Sequence, residues 1–224
     1  MRVLAIVPAH NEEGSIASTI EGLKSVGIDY LVINDGSTDG TEKICLENEF
    51  NMLVLPVNIG LAGGVQAGMK FAFSHGYDCA IQFDADGQHL PEYIVPMVEQ
   101  MEKNGSDIVI GSRFMDQKKP FSARMAGSVL ISLLIRLTTG ERIKDPTSGM
   151  RLYSRRIMKM LAQEVDLSPE PDTVALLLRR GAKVSEFQVS MEERVSGESY
   201  LNFGRSLSYM ARTCVSILFV QWFR

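Results

Sequence analysis

The chain has only three cysteines in 224 residues, Cys45, Cys79 and Cys214, far apart and without CxxC or metal-ligand spacing. That excludes a zinc ribbon and a disulfide framework, and the three read as packed thiols of a reducing cytosol. Neither sign of charge is in large excess. Its 23 basic and 27 acidic residues give −4, which argues against a generic nucleic-acid binder. No apolar run is long enough to span a bilayer, and the longest, Val129 to Leu137, is interrupted by Ser132 and Arg136. A secretion signal is not expected, because the short apolar run Val3–Val7 meets Pro8-Ala9-His10-Asn11-Glu12-Glu13 at once. There is no Walker pattern, internal repeat, low-complexity segment or linker, so residues 1–224 are expected to form one domain.

What is present is alternation. Val3–Val7, Tyr30–Asn34, Met52–Leu55, Cys79–Phe83 and Ile108–Gly111 are short apolar runs. Helix-like segments separate them, near Glu13–Ser25, Thr38–Asn48, Leu61–Ser74 and Pro91–Lys103. Apolar strands separated by helices predict an α/β fold, a mostly parallel sheet with helices on both faces and right-handed crossovers. Ligands of such sheets sit beyond the carboxyl ends of the strands. The polar clusters fall there: Pro8–Glu13, Asp35-Gly36-Ser37-Thr38-Asp39-Gly40 and Asp84-Ala85-Asp86-Gly87-Gln88-His89.

Asp84 and Asp86, one residue apart at a strand end, are hard oxygen donors of the kind Mg²⁺ or Mn²⁺ shares with substrate phosphates. Aspartates also end strands as caps and turn residues. Asp35 stands where a carboxylate can accept a hydrogen bond from a base N–H, with Ser37 or Thr38 as a helix cap beside it. The Gly-rich stretch Asn58–Gly68 lacks GxGxxG spacing, so it reads as close packing of a helix on the sheet or close approach of backbone to a nucleoside or sugar.

The second half differs. Helices are expected over Phe121–Thr139, near Arg155–Gln163, near Asp172–Arg180 and over Leu201–Phe223, with a strand near Lys183–Ser190. Lys118 to Lys159 holds ten basic and two acidic side chains, a net +8 in a chain of −4. A basic, apolar segment of this kind suits an anionic membrane surface; core or oligomer packing is the alternative. Arg113 ends the fifth strand, and arginine suits bidentate phosphate contact.

Three motifs, Pro8–Glu13, Asn34-Asp35-Gly36-Ser37-Thr38-Asp39-Gly40-Thr41 and Asp84–His89, in this order, resemble family 2 glycosyltransferases with the GT-A fold. Asp145-Pro146-Thr147-Ser148-Gly149-Met150-Arg151-Leu152-Tyr153 and Arg194-Val195-Ser196-Gly197-Glu198-Ser199 are similar to the dolichyl- or polyprenyl-phosphate sugar synthase branch. Tyr200 departs from it, since a Lys commonly stands there. The resemblance implies an inverting, Mg²⁺- or Mn²⁺-dependent enzyme moving a sugar from a UDP- or GDP-sugar to a polyprenyl phosphate. Pro8, Ala9, Asn11 and Glu12 would line the nucleotide, Asp35 would read the base, and Asp84, Asp86 and Gln88 would bind metal. Arg113, Arg124 and Arg194 would hold phosphates, Arg151 less directly, and Asp172 would be the acid of the acceptor helix. Residues 1–115 would form the donor and metal half and 116–224 the acceptor half, peripheral at the cytoplasmic face of a membrane. A separate integral-membrane partner is a candidate, because the chain ends at Arg224 without a spanning tail. A saccharide hydroxyl is the alternative acceptor, with Asp172 or Glu170 as base. A non-catalytic sugar-nucleotide binder is a third reading. A nucleotidyltransferase is disfavoured, because Pro8–Glu13 is acidic where a triphosphate needs cations.

Overall fold

The computed structural model describes residues 1–117, 123–164, 167–192 and 203–219, with 123, 124 and 203–207 described by backbone alone. The first half runs β1 (Val3–Ala9), α1 (Ile16–Ser25), β2 (Asp29–Asp35), α2 (Thr41–Glu47), β3 (Met52–Leu55), α3 (Gly60–Ser74), β4 (Cys79–Gln82), α4 (Ile94–Asn104) and β5 (Ile108–Ser112). The second runs α5 (Ala123–Thr139), β6 (Arg151–Ser154), α6 (Arg155–Gln163), α7 (Pro171–Arg179), β7 (Val184–Gln188) and α8 (Phe203–Leu218). One seven-stranded sheet has the order β3-β2-β1-β4-β6-β5-β7.

The fold is the expected one, with helices around a mostly parallel sheet. Alternation along β1 decides the layers. Val3, Ala5 and Val7 pack with Ile16 and Ile20 of α1 and Met97 of α4. Leu4 and Ile6 face the opposite way, toward Val65 and Met69 of α3 and the helices of the second half. At Gly68 the Gly-rich stretch packs closely: a Cβ there would lie 2.3 Å from Ile6 Cγ2, so α3 rests directly on β1 at that point. Cys45 and Cys79 are buried free thiols. Burial pushes them up to about 11 and about 12, which leaves them protonated and inert.

One element was not anticipated. Arg151-Leu152-Tyr153-Ser154, read only as part of a motif, is a strand antiparallel to both neighbours, β4 and β5. Because β6 runs backwards, its first residue lies at the carboxyl ends of the others. Arg151 pairs with Gln82 of β4 and Ile110 of β5. Its guanidinium is fully buried and donates to the carbonyls of Pro146 (2.7 Å), Ser148 (2.8 Å) and Pro169 (2.8 Å). A buried cation is tolerated only when hydrogen-bonded, and three carbonyls on two segments supply that.

Helices α5 and α8 pack together, with Gly127 so close that a Cβ there would overlap Met210. On their outer sides Val129, Leu130, Leu133 and Leu137 of α5 and Val215 and Leu218 of α8, with Phe219 just after it, are exposed. Among the described residues no helix is long and apolar enough to cross a membrane.

Arg151→Met keeps length and apolar bulk but orphans three carbonyls. We expect a loss of about 3 kcal/mol or more in urea unfolding, and no rescue by Lys, which lacks the planar fork. An unchanged midpoint would show that the guanidinium holds nothing.

Candidate active site

The loops after β1 and β2 are laced together by side chains caught on backbone. Asn11 has a left-handed backbone (φ 60°), which asparagine tolerates better than most residues. Its Oδ1 accepts the Thr38 N–H at 2.8 Å, and its own N–H donates to Ser37 Oγ at 3.1 Å. Glu12 N–H donates to Thr41 Oγ1 at 2.8 Å, while Glu13 Oε2 accepts the Gly40 N–H at 2.7 Å. Pro8 and Ala9 end β1 beneath this lacing.

Asp35 does more than end a strand. Its two carboxylate oxygens accept the N–H groups of Ile59 and Gly60, each at 2.8 Å, so it caps the start of α3. A carboxylate has about four acceptor sites, so two such bonds leave capacity for a ligand N–H. Neither Ser37 nor Thr38, the cap candidates of the sequence, serves the start of α2: the Thr41 N–H donates to Asp39 Oδ1 at 3.0 Å. Gly36 has φ 62°, and a Cβ there would meet Asn58 N at 2.7 Å, so the turn admits only glycine.

Asp84, Asp86 and Gln88 lie in the turn beyond β4, beside the β1 loop, since β1 and β4 are sheet neighbours. The Asp84 side chain is 34% exposed, whereas Asp86 is 4% exposed with Oδ1 accepting the Gln88 N–H at 3.0 Å. Gln82 Nε2 donates to Asp84 Oδ1 at 3.1 Å, and the Asp84 N–H donates to Nδ1 of buried His89 at 2.9 Å. The Gln88 amide donates to the Glu192 carbonyl at 3.4 Å. Among the described residues no three His, Cys, Asp or Glu side chains converge as a closed metal cage. The hard-oxygen set of Asp84, Asp86 and the Gln88 carbonyl nonetheless fits Mg²⁺ or Mn²⁺, which take a few protein oxygens and fill the remainder with phosphate and water.

Across the rim, Arg113 is held by Asp145. Nε–Oδ2 is 2.7 Å, Nη2–Oδ1 is 2.9 Å and the Arg113 N–H reaches Oδ2 at 3.1 Å. Asp145 is fully buried, while Arg113 keeps 23% of its side chain exposed. Glu186 of β7 fixes the Asp145 loop by accepting the N–H groups of Lys144 and Asp145 at 2.7 and 2.8 Å. Asp145 thus fixes the plane of the Arg113 guanidinium. Arg151, a weaker phosphate candidate, instead spends its guanidinium on the three carbonyls. Neither Asp145 nor Glu186 stood out in the sequence as a partner of Arg113; Asp145 before Pro146 reads as a turn residue.

Glu170 and Asp172 flank the start of α7, on the segment that Arg151 ties to the rim. Glu170 accepts the Tyr209 hydroxyl and Asp172 accepts Ser216 Oγ at 2.6 Å, both from α8. Burial and the adjacent Glu170 carboxylate push the Tyr209 hydroxyl far above its ordinary range, so it stays a donor. Arg124 lies on α5 with only its backbone described, and Arg194 and Tyr200 lie outside the described residues.

Residues 4–161 match the family model described as Glycosyl transferase family 2. An undecaprenyl-phosphate mannosyltransferase of Micrococcus luteus is 31% identical over 91% of this chain and 89% of that protein. A UDP-N-acetylglucosamine–dolichyl-phosphate N-acetylglucosaminyltransferase of Methanococcus voltae is 30% identical over 73% of each chain. Among solved structures, glucosyl-3-phosphoglycerate synthase from Mycobacterium tuberculosis, in complex with Mn²⁺, UDP and glucosyl-3-phosphoglycerate, superposes with a TM-score of 0.69. It is 18% identical, and the match covers 98% of this chain and 79% of that one, a likeness of fold. With a carboxylate pair at the end of β4, laced loops beside it and a family match over most of its length, the chain belongs to glycosyl transferase family 2 and is a glycosyltransferase of the GT-A fold.

Proposed function

We propose that this enzyme moves a sugar from a UDP- or GDP-sugar to a polyprenyl phosphate, with inversion at the anomeric carbon and with Mg²⁺ or Mn²⁺ bound. The observation that carries the reading is the position of Asp84 and Asp86 beyond β4, between the laced β1–β2 loops and the aligned Arg113. Relatives named for polyprenyl-phosphate acceptors support the choice of acceptor.

In this reading Pro8, Ala9, Asn11 and Glu12 border the nucleotide, and Asp35 meets a base N–H with the lone pairs left by the α3 cap. Asp84, Asp86 and Gln88 would hold the cation. Bound there, Mg²⁺ or Mn²⁺ supplies positive charge against the diphosphate. Arg113 presents its outer N–H groups to phosphate oxygens without reorganising, because Asp145 already fixes its plane. Arg124 and Arg194 are proposed to join it. A lipid-phosphate oxygen forms the bond to the anomeric carbon in line with the departing diphosphate, whose C–O bond breaks. The phosphate is ionised near neutral pH, so no proton must be removed. A saccharide hydroxyl would need a base, from Asp172 or Glu170. Both lie on the acceptor side, and both accept hydroxyls of α8.

The apolar outer face of α5 and α8 is read as a lipid-bilayer contact. Exposed Arg136, Arg142 and Arg212 accompany it, which matches an anionic headgroup layer. Such docking would bring residues 116–224, proposed as the acceptor half, to a substrate that resides in the membrane.

Two outcomes follow from these assignments. Asp86→Asn should cut metal-dependent release of nucleoside diphosphate by roughly a hundredfold or more, the size of losing one main electrostatic stabiliser, with an unchanged melting temperature. Full turnover in that variant would remove Asp86 from the chemistry. Leu130→Glu with Leu137→Glu should weaken co-sedimentation with phosphatidylglycerol vesicles at least tenfold, since each buried leucine is worth roughly 1.5–3 kcal/mol. Unchanged sedimentation would assign that face to another contact.

A further inference from the structure

Asp84 is boxed in from three sides, by two near neighbours in sequence and by one residue from a distant segment. Gln82 Nε2 holds Oδ1 at 3.1 Å. Buried His89 accepts the Asp84 N–H through Nδ1, so the neutral ring carries its proton on Nε2, and Nε2 faces Asp84 Oδ2 at 3.6 Å. His89 is itself locked edge-on against Phe83, with ring centroids 5.4 Å apart. The third wall is Gly149, from the segment between α5 and β6. A Cβ on Gly149 would lie 2.7 Å from Asp84 Oδ2. Nothing in the backbone requires glycine there, since Gly149 is not among the positive-φ residues. What it provides is room, for one oxygen of one carboxylate.

We propose that Gly149 and His89 are positioning residues that fix the Asp84 carboxylate for a divalent cation, and that the Asp145–Gly149 segment therefore sets the metal site as well as the acceptor side. The inference rests on Asp84 being a metal ligand, as read above. The segment reaches both sides because Arg151 clasps the carbonyls of Pro146 and Ser148 and thereby fixes the approach of Gly149 to Asp84. A carboxylate held in one orientation loses less freedom on binding a cation than one free to rotate.

Gly149→Ala is a clean probe. The atom in its way is the far end of a flexible side chain, so the Asp84 carboxylate swings aside and the fold survives. The measurement is Mn²⁺ binding to the purified full chain, followed by loss of the free-Mn²⁺ paramagnetic resonance signal, with melting temperature in parallel. We expect Gly149→Ala to weaken Mn²⁺ at least tenfold at unchanged melting temperature, and to have no further effect in an Asp84→Ala background. His89→Phe should weaken binding too, and His89→Asn, whose Oδ1 can replace Nδ1 as acceptor, should restore part of it. Wild-type affinity in Gly149→Ala would overturn the proposal while leaving the metal reading intact. Equal weakening with and without Asp84 would also overturn it, because the effect would not pass through that carboxylate. Unaltered Mn²⁺ binding in Asp84→Ala would overturn the metal reading and the proposal together.

Discussion

A fully buried guanidinium organises the rim at the carboxyl ends of the strands. Arg151 opens β6, which runs antiparallel to both its neighbours, and that reversal delivers the side chain to the end of the sheet where those strands finish. An arginine buried there must find acceptors, and it finds them on Pro146, Ser148 and Pro169. Those carbonyls belong to the loop carrying Asp145 and Gly149 and to the turn leading into Glu170 and Asp172. One desolvated cation thus holds together the group that aligns Arg113, the glycine that makes room for Asp84 and the acids at the start of α7.

The opposite side of the rim is built on another principle. Among the described residues no buried cation holds the β1 and β2 loops; short polar side chains do, by accepting backbone N–H groups, as Asn11 does for Thr38 and Asp35 for Ile59 and Gly60. The N–H groups of three loop ends are satisfied by side chains rather than by sheet or helix. The result is an acidic shelf of carboxylates and carbonyls across the rim from Arg113. That polarity suits a ligand with donor groups at one end and phosphate in the middle.

Much of this was legible in the sequence, for local reasons. Strands buried on both faces read as continuous apolar runs, and Asp84 and Asp86 are informative because strand, turn and carboxylates are contiguous. The unread features are pairings across long separations. Asp145 and Arg113 are 32 residues apart, and an aspartate before proline carries no mark of its partner. Gly149 and Asp84 belong to motifs that sequence reading treated separately. Strand β6 escaped because four residues beginning with arginine have no apolar periodicity of their own; the sheet on either side makes them a strand. Arg151 looked like a rim cation because sequence shows its charge and not its burial.

The most direct measurement is transfer of labelled sugar from a panel of nucleoside-diphosphate sugars to short-chain polyprenyl phosphate, with Mn²⁺ or Mg²⁺, read as label entering an organic phase. The expected result is label from one donor moving into that phase only when both the cation and the lipid phosphate are present. Donor turnover that leaves all label in the aqueous phase on a soluble saccharide, whatever lipid is added, would contradict a lipid-phosphate acceptor.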